Sequence, residues 1–244
     1  MEKIVAIGGG ELKDLETLVI DKEIVSLTGK ENPRALFIPT ASNDAPGYVE
    51  TFNKIYGDKL GCKTDALLLW SEGISNAQIK EKIELADLVY VGGGNTLKMM
   101  NRWKELGVDK MLIQAYKKGT VMSGLSAGSI CWFENGFSDS DRFEQDGKWQ
   151  YRLVQGLGLI PGIYCPHYHE EQREKEFAQG IENYGGVGIA LDNNTALEIV
   201  DGKFRVLASR EDPKAFRVLK KNGIVVTQPI EMSLELQPLS ELFS

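Results

Sequence analysis

A serine between two glycines is the feature of this sequence that best fits covalent chemistry. The residues Gly124-Leu-Ser126-Ala-Gly128 follow the apolar run Thr120–Ser123 and precede a stretch that can form a helix. A nucleophile on a sharp strand-to-helix turn occupies strained backbone, so its neighbours must be small. The following helix directs N–H groups and the positive end of its dipole at a developing oxyanion. The pattern favours Ser126 as a nucleophile, and the alternative is a glycine-rich turn whose serine caps the helix.

Both histidines of the chain lie within residues 166–170, in the order Pro-His-Tyr-His-Glu. A serine nucleophile needs a base of near-neutral pKa, and imidazole is the side chain suited to that role. One of the two is therefore the expected base. If the segment is extended, His167 and His169 face the same side. Two alternatives remain open, namely a metal site that includes Glu170 or Glu171 and a purely structural role for both histidines.

A second glycine-rich turn, Gly92-Gly93-Gly94-Asn95, follows the apolar run Leu88–Val91. Successive glycine N–H groups after a strand can bind an anion or an oxyanion. The spacing matches neither G-x-G-x-x-G nor G-x-x-x-x-G-K-[ST], so a phosphate site is the weaker interpretation. The turn is a candidate cradle for an oxyanion.

Strands and helices alternate through the first half of the chain, and this alternation must position the two turns. Strands are predicted at Glu2–Gly8, Ala35–Pro39, Thr64–Leu69, Leu88–Val91 and Thr120–Ser123. Helices are predicted at Leu15–Leu27, about Gly47–Leu60, Asn76–Leu85, Leu97–Leu106 and Lys110–Lys118. Such alternation predicts an α/β fold with a mostly parallel sheet flanked by helices. Sites in these folds lie beyond the carboxyl ends of the strands, where both glycine-rich turns fall.

Short strands dominate the chain after Gly185. They are predicted at Val187–Leu191, Ala196–Val200, Phe204–Leu207 and as a pair near Phe216–Val226. We expect these C-terminal strands to complete the sheet or to form a hairpin layer at one edge. No linker rich in Pro, Ser or Gly divides the chain, so we interpret residues 1–244 as a single domain.

The composition argues against several kinds of partner. The 28 Lys and Arg residues against 35 Asp and Glu residues leave a formal net charge of −7, and an acidic surface repels nucleic acid. No apolar run approaches the roughly 20 residues that span a bilayer, and no signal-peptide pattern is evident. The three cysteines form no CxxC pair, which disfavours a disulfide framework or a zinc site. We expect a cytoplasmic monomer or homodimer without membrane or nucleic-acid partners.

Three blocks of the sequence together resemble peptidase family S51. They are the turn Gly92-Gly-Gly-Asn-Thr96, the elbow at Ser126, and Pro166-His167 before an acidic helix, in the family's order and spacing. That family includes peptidase E, an aspartyl dipeptidase, and the cyanophycinases. The resemblance runs from Pro39 to about Thr195. It implies a flavodoxin-like three-layer sandwich similar to class I glutamine amidotransferases, with a serine in place of the cysteine nucleophile and with no cofactor or metal.

The resemblance also implies roles for individual residues. Carried over by motif, Ser126 would be the nucleophile and His167 the base. The backbone N–H groups of Gly93 or Gly94 and of Ala127 would form the oxyanion hole.

The third member of the triad is less well marked by the resemblance. The family's acidic residue aligns with Asn193, and Asp192 is adjacent. Asparagine can orient a histidine, but it cannot stabilise imidazolium as a carboxylate does. A second acidic position of the family falls on Asp139 or Asp141, of which we favour Asp139 as a site residue without assigning its role.

The resemblance implies that the substrate contains an aspartyl group. A pocket for a carboxylate favours arginine in bidentate geometry, and Arg173 is the arginine nearest the histidine motif. The alternative is that Arg173 pairs with Glu170 or another acid on a solvated helix. Asn95 is the second predicted substrate-binding residue.

The resulting hypothesis is a serine-type hydrolase that cleaves small peptides, namely aspartyl dipeptides (Asp-X). Two alternatives remain open. One is a cyanophycinase-like isoaspartyl peptidase. The other, prompted by Asn193, is a non-catalytic protein that binds a small ligand on the same scaffold.

Overall fold

Two β-sheets organise the chain in the computed structural model, which describes residues 1–71, 73–143, 149–211 and 214–244. One sheet has eight strands and the other has six. In chain order the strands are β1 (Lys3–Ile7), β2 (Arg34–Ile38), β3 (Lys63–Ala66), β4 (Leu88–Val91), β5 (Val121–Leu125), β6 (Phe133–Ser138), β7 (Arg152–Gln155), β8 (Ile160–Cys165), β9 (Val187–Leu191), β10 (Thr195–Val200), β11 (Lys203–Ala208), β12 (Ala215–Lys221), β13 (Ile224–Pro229) and β14 (Gln237–Pro238).

The helices connect successive strands of the first half and one pair of the second. They are α1 (Leu18–Ser26), α2 (Pro46–Phe52), α3 (Asn76–Leu85), α4 (Thr96–Leu106), α5 (Val108–Lys118), α6 (Ala127–Ile130) and α7 (Arg173–Tyr184). α2 continues as a π-helix over Asn53–Lys59. Short 3-10 turns lie at Leu12–Asp14, Thr40–Ser42, Ser140–Phe143 and Leu239–Leu242.

The first five strands form the parallel part of the eight-stranded sheet. Their spatial order is β1-β5-β4-β2-β3, and every adjacent pair among them is parallel. α1 and α2 pack on one face of this part, and α3, α4 and α5 pack on the other. β4 is buried along its whole length, as expected for a parallel strand that is covered on both faces. The predicted α/β fold is confirmed, and the sheet is mixed, because antiparallel strands follow beyond β1.

The C-terminal strands divide between the two sheets. β10, β11 and β14 extend the large sheet in antiparallel order beyond β1, which completes it as predicted. β9, β12 and β13 instead join β6, β7 and β8 in the second sheet, whose order is β13-β12-β9-β8-β6-β7. The sequence did not indicate β6 to β8, because polar and glycine residues interrupt their apolar runs, as in Phe133-Glu-Asn-Gly-Phe-Ser138.

The ends of four strands meet where the two sheets adjoin. α6 is four residues long and connects β5 of the large sheet to β6 of the second. The N–H group of His167, after β8, donates to the carbonyl of Gly8, after β1, at 3.2 Å. The N–H group of Tyr168 donates to the carbonyl of Leu191 in β9 at 3.2 Å. Residues that follow β1, β5, β8 and β9 are thereby brought together.

No helix within the described ranges has both the length and the apolar character to cross a bilayer.

Candidate active site

Ser126 lies at the turn from β5 into α6 in a backbone conformation that residues with side chains rarely adopt. Its φ is 56° and its ψ is −115°, and such a conformation costs about 1–3 kcal/mol. Its N–H group donates to the carbonyl of Ile7 at 3.1 Å, which ties the turn to β1. A Cβ atom on Gly128 would lie 2.0 Å from the carbonyl oxygen of Val91, so glycine is required there. The turn therefore has the strain and the small neighbour that the elbow pattern predicts.

His167 contacts the serine directly. Its Nε2 atom lies 2.9 Å from the Oγ atom of Ser126, and its Nδ1 atom lies 2.6 Å from the Oδ1 atom of Asn193. An amide oxygen only accepts, so Nδ1 carries the proton and Nε2 accepts the hydroxyl proton of Ser126. A Cβ atom on Gly9 would lie 2.4 Å from the imidazole, so the glycine turn after β1 makes room for this ring.

Asn193 connects the histidine to a carboxylate. Its Nδ2 atom donates to the Oε1 atom of Glu170 at 2.5 Å. The Oε2 atom of Glu170 lies 3.5 Å from the Nδ1 atom of His167. The four side chains form the series Ser126–His167–Asn193–Glu170, in which a neutral amide separates the imidazole from the carboxylate along the hydrogen bonds.

The surroundings of His167 favour its neutral form. Burial lowers the pKa of His167, and the positive charge of Arg173 acts in the same direction. The carboxylate of Glu170 and the hydrogen bond with Asn193 raise that pKa in opposition. A neutral imidazole at pH 7 can accept a proton, which is what a general base must do.

The serine and the histidine open onto a cleft of about 530 Å³. Its lining includes one basic residue, Lys13, and three acidic residues, Glu11, Glu16 and Glu170. Gly93 belongs to the same lining. The cleft has room for a small ligand with charged groups at both ends.

The predicted oxyanion residues do not all lie in this cleft. A Cβ atom on Gly93 would lie 3.4 Å from the Cβ atom of Ser126, so the two backbones are close. Ala127 is the first residue of α6, and its N–H group therefore has no acceptor within the helix. Gly94 instead lines a separate cavity together with Asn95. The N–H group of Gly93 donates to the hydroxyl of Tyr48 at 3.4 Å, and the oxyanion role of Gly93 and Ala127 stays a prediction.

Asn95 has a structural role that the sequence prediction missed. It precedes α4, and its Oδ1 atom accepts the N–H group of Lys98 at 3.0 Å. Its Nδ2 atom donates to the carbonyl of Ser140 at 3.4 Å. The side chain is almost fully buried, and Asn95 is not among the residues that line the serine cleft, so its role in substrate binding stays a prediction.

Asp192 binds the other histidine. Its Oδ2 atom lies 2.7 Å from the Nδ1 atom of His169, and its Oδ1 atom accepts the N–H group of the same residue at 2.9 Å. His167 adopts a positive φ of 51°, so the segment turns there and the two histidines do not share a face as they would in an extended strand. The structure thus places Asp192 away from His167, and Asn193 takes the position beside that imidazole.

Asp139 and Asp141 each form an ion pair with an arginine. The Oδ2 atom of Asp139 lies 3.0 Å from the Nη2 atom of Arg173, whose side chain is 5% exposed. Asp141 pairs with Arg152 at 3.0 Å nearer the surface. The guanidinium of Arg173 also packs over the ring of Tyr151 at 4.9 Å. Arg173 is therefore a buried partner of Asp139 and is not among the residues that line the cleft, and its role in substrate binding stays a prediction.

Residues 4–207 match the model of peptidase family S51. The chain belongs to this family. The uncharacterized peptidase YgaJ of Bacillus subtilis is 35% identical over 234 residues, which cover 94% of this chain and 97% of the relative. Peptidase E of Nostoc sp. is 27% identical and 78% of each chain is covered. With family membership and relatives named as peptidases, this chain is a peptidase.

Solved structures support the same fold for this S51 peptidase. A peptidase from an acI-B1 actinobacterium superposes with a TM-score of 0.74 at 20% identity, over 98% of this chain and 97% of that chain. A putative peptidase E from Listeria monocytogenes EGD-e gives a TM-score of 0.65 at 22% identity, over 85% of this chain and 98% of that chain. At these identities the likeness concerns the fold.

Glu170 is the residue of this S51 site that sequence reasoning missed. It was considered only as a metal ligand or as an ion-pair partner of Arg173. Among the described residues, no group of three His, Cys, Asp or Glu side chains is arranged to hold a metal ion. The available signal was a carboxylate three residues after His167, in a chain with asparagine at the family's acidic position.

Proposed function

We propose that this S51 peptidase is a serine-type hydrolase of small peptides, with Ser126 as the nucleophile and His167 as the base. The observation that carries the proposal is the 2.9 Å contact between His167 Nε2 and Ser126 Oγ at a strained elbow. The tautomer set by Asn193 leaves the lone pair of Nε2 free to accept the hydroxyl proton. A nucleophile, its base and the residue that orients the base are thus in hydrogen-bond reach of one another.

The proposed reaction follows from these contacts. Ser126 Oγ attacks the peptide carbonyl while its proton passes to His167 Nε2. The oxygen of the tetrahedral intermediate takes hydrogen bonds from the N–H groups of Gly93 and Ala127. His167 then returns the proton to the leaving amine, and the C–N bond breaks to leave an ester on Ser126. A water molecule, deprotonated by His167, hydrolyses the ester and restores the hydroxyl.

Asp-X dipeptides are the proposed substrates. The resemblance to aspartyl dipeptidases supports this class, and the charges of the cleft are compatible with it. An Asp-X dipeptide carries an amino-terminal ammonium group and an aspartyl carboxylate. Among the described residues of the cleft lining, Glu11, Glu16 and Glu170 are acidic and Lys13 is basic. Lys13 replaces Arg173 as the proposed partner of the substrate carboxylate.

A dipeptide screen tests this proposal. Asp-Leu, isoAsp-Leu and Ala-Leu are given to the wild type, to Ser126→Ala and to Lys13→Gln, and the released leucine is measured. We expect Asp-Leu to be cleaved fastest, Ser126→Ala to be inactive with an unchanged Tm, and Lys13→Gln to raise KM for Asp-Leu more than for Ala-Leu. Unchanged turnover by Ser126→Ala would contradict the nucleophile. Preferred cleavage of isoAsp-Leu would replace the substrate class and leave the mechanism in place.

A further inference from the structure

Glu170 lies at the end of a turn that returns the chain over the imidazole. Its N–H group donates to the carbonyl of His167 at 3.0 Å, which closes the turn between them. One carboxylate oxygen accepts from Asn193, and the other lies 3.5 Å from the Nδ1 atom of His167. The side chain is 54% exposed and lines the catalytic cleft. Neither the motif match nor the proposed mechanism assigns it a role.

The orientation of the Asn193 amide decides which tautomer the base adopts. If the NH₂ end of the amide faced His167, the Nδ1 atom would have to accept and the proton would move to Nε2. Nε2 could then no longer accept the hydroxyl proton of the serine. A carboxylate only accepts hydrogen bonds, so Glu170 holds the NH₂ end and leaves the Oδ1 end for His167.

We propose that Glu170 is a positioning residue of this site, which acts on His167 through Asn193. It fixes the orientation of the amide, and thereby the tautomer of the base. It also supplies, from one residue further away, the negative charge that a triad acid supplies by direct contact. The inference rests on the proposed function, because it assigns a partner to the base named there.

Other charged groups near His167 do not replace this carboxylate. Arg173 opposes it, since its positive charge lowers the pKa of His167, and Asp139 partly offsets that charge as the partner of Arg173. Glu16 also lines the cleft, but its carboxylate forms an ion pair with Arg210. Lys13 and Glu11 form a 3.7 Å ion pair at the surface of the cleft.

The chain offers a matched control in the next residue. Glu171 has the same side chain and a similar exposure, but its carboxylate binds Arg142 at 2.8 Å. Glu170→Gln and Glu171→Gln therefore remove the same charge from adjacent positions. We expect Glu170→Gln to lower kcat/KM for the cleaved dipeptide by roughly 10- to 100-fold, mainly through kcat, because the hydrogen bond from Asn193 loses its charged acceptor and the amide can turn over. Glu171→Gln should leave kcat/KM unchanged.

The pH profile gives a second readout. Because the negative charge of Glu170 raises the pKa of His167, its removal should move the acid limb of kcat/KM to lower pH. The double variant Glu170→Gln/Asn193→Asp brings a carboxylate into direct contact with Nδ1, while the new glutamine can donate to it. It should recover most of the lost kcat/KM and move the acid limb back to higher pH. A purely structural role for Glu170 predicts no such rescue.

Imidazole ¹⁵N chemical shifts test the tautomer without any substrate. The chain has two histidines, so His169→Gln assigns both signals. We expect the Nδ1–H tautomer for His167 in the wild type and a mixture of tautomers in Glu170→Gln. An unchanged tautomer and an unchanged acid limb in Glu170→Gln would overturn the Glu170 assignment. A wild type that cleaves none of the dipeptides and shows the Nδ1–H tautomer would instead contradict the proposed function alone.

Discussion

The two histidines of this peptidase are separated by one residue, yet they differ in burial, in the charge of their partner and in contact with Ser126. His167 is largely buried, contacts the serine, and binds the neutral side chain of Asn193. His169 is exposed and binds the carboxylate of Asp192 at 2.7 Å. The carboxylate of Asp192, a candidate triad acid in the sequence, therefore binds His169, whereas it is His167 that contacts Ser126.

The difference shows how burial and charge are matched at the two positions. Burial lowers the pKa of His167, and a neutral partner lets the imidazole stay unprotonated and ready to accept a proton. Glu170 contributes its charge from a position where more than half of its side chain remains in water. At the exposed His169 a direct carboxylate contact costs little desolvation, and such a surface pair contributes little to stability.

The largest effect should separate the two histidines. His167→Gln removes the proposed base and should lower kcat by about 1,000-fold, within the range of general-base catalysis. His169→Gln should retain nearly full activity, because that side chain contacts Asp192 and not the serine. The initial rates of both variants on the same dipeptide measure this directly. Equal losses in the two variants would remove the distinction between the histidines.

The next effect concerns a carboxylate that was a candidate for the triad. Asp139→Asn leaves the buried guanidinium of Arg173 without its ionic partner, and the free energy of unfolding should fall by about 3 kcal/mol. Asp141→Asn breaks a more exposed pair with Arg152 and should cost less than about 1 kcal/mol. Urea unfolding of both variants at pH 7 tests this, and equal stabilities would show that the Asp139 pair is not a buried structural contact.

The parallel part of the fold could be predicted from the sequence because its strands are continuous apolar runs separated by helices. Leu88–Val91 is an example, since it is buried over its whole length and its predicted bounds agree with the structure. The second sheet could not be predicted, because Glu134, Asn135 and Gly136 break the pattern of β6. These residues form a strand because they pair with β7 and β8, which lie further along the chain. The apolar run of β8 is itself interrupted by Pro161 and Gly162.

The contact between Ser126 and His167 could be anticipated because the chain has few histidines and a distinctive elbow. The partner of the His167 Nδ1 atom could not be predicted. Asp192 and Asn193 are adjacent, and only the backbone conformation decides which of the two side chains faces His167. The partners of Asp139 and Arg173 depend on tertiary contact between a loop and α7. Glu170 was overlooked because the motif calls for an acid in direct contact with the histidine.

A smaller effect should follow when the neutral partner of the base is given a charge. Asn193→Asp places a carboxylate beside Nδ1 and should raise the pKa of His167, so the acid limb of kcat/KM should move to higher pH by about one unit. Glu170 is exposed enough to turn away from the new carboxylate. An acid limb that stays in place would show that Asn193 does not bind the imidazole in the active form.

The smallest effect on the pH profile is expected for a substitution of Asp192. Asp192→Asn removes a negative charge next to Asn193 in sequence, but it acts on His169. The acid limb of kcat/KM should therefore remain where it is in the wild type. A shift to lower pH would mean that Asp192 contacts the base, and the comparison between the histidines would have to be reversed.

The most direct test of the account is the covalent labelling of Ser126 by a fluorophosphonate, followed by intact mass and peptide mapping. The account predicts a single adduct on Ser126 in the wild type and in His169→Gln. It predicts no adduct in Ser126→Ala and a strongly slowed reaction in His167→Gln. A wild type that remains unlabelled, or equal labelling in Ser126→Ala, would contradict the claim that Ser126 and His167 form a nucleophile and its base.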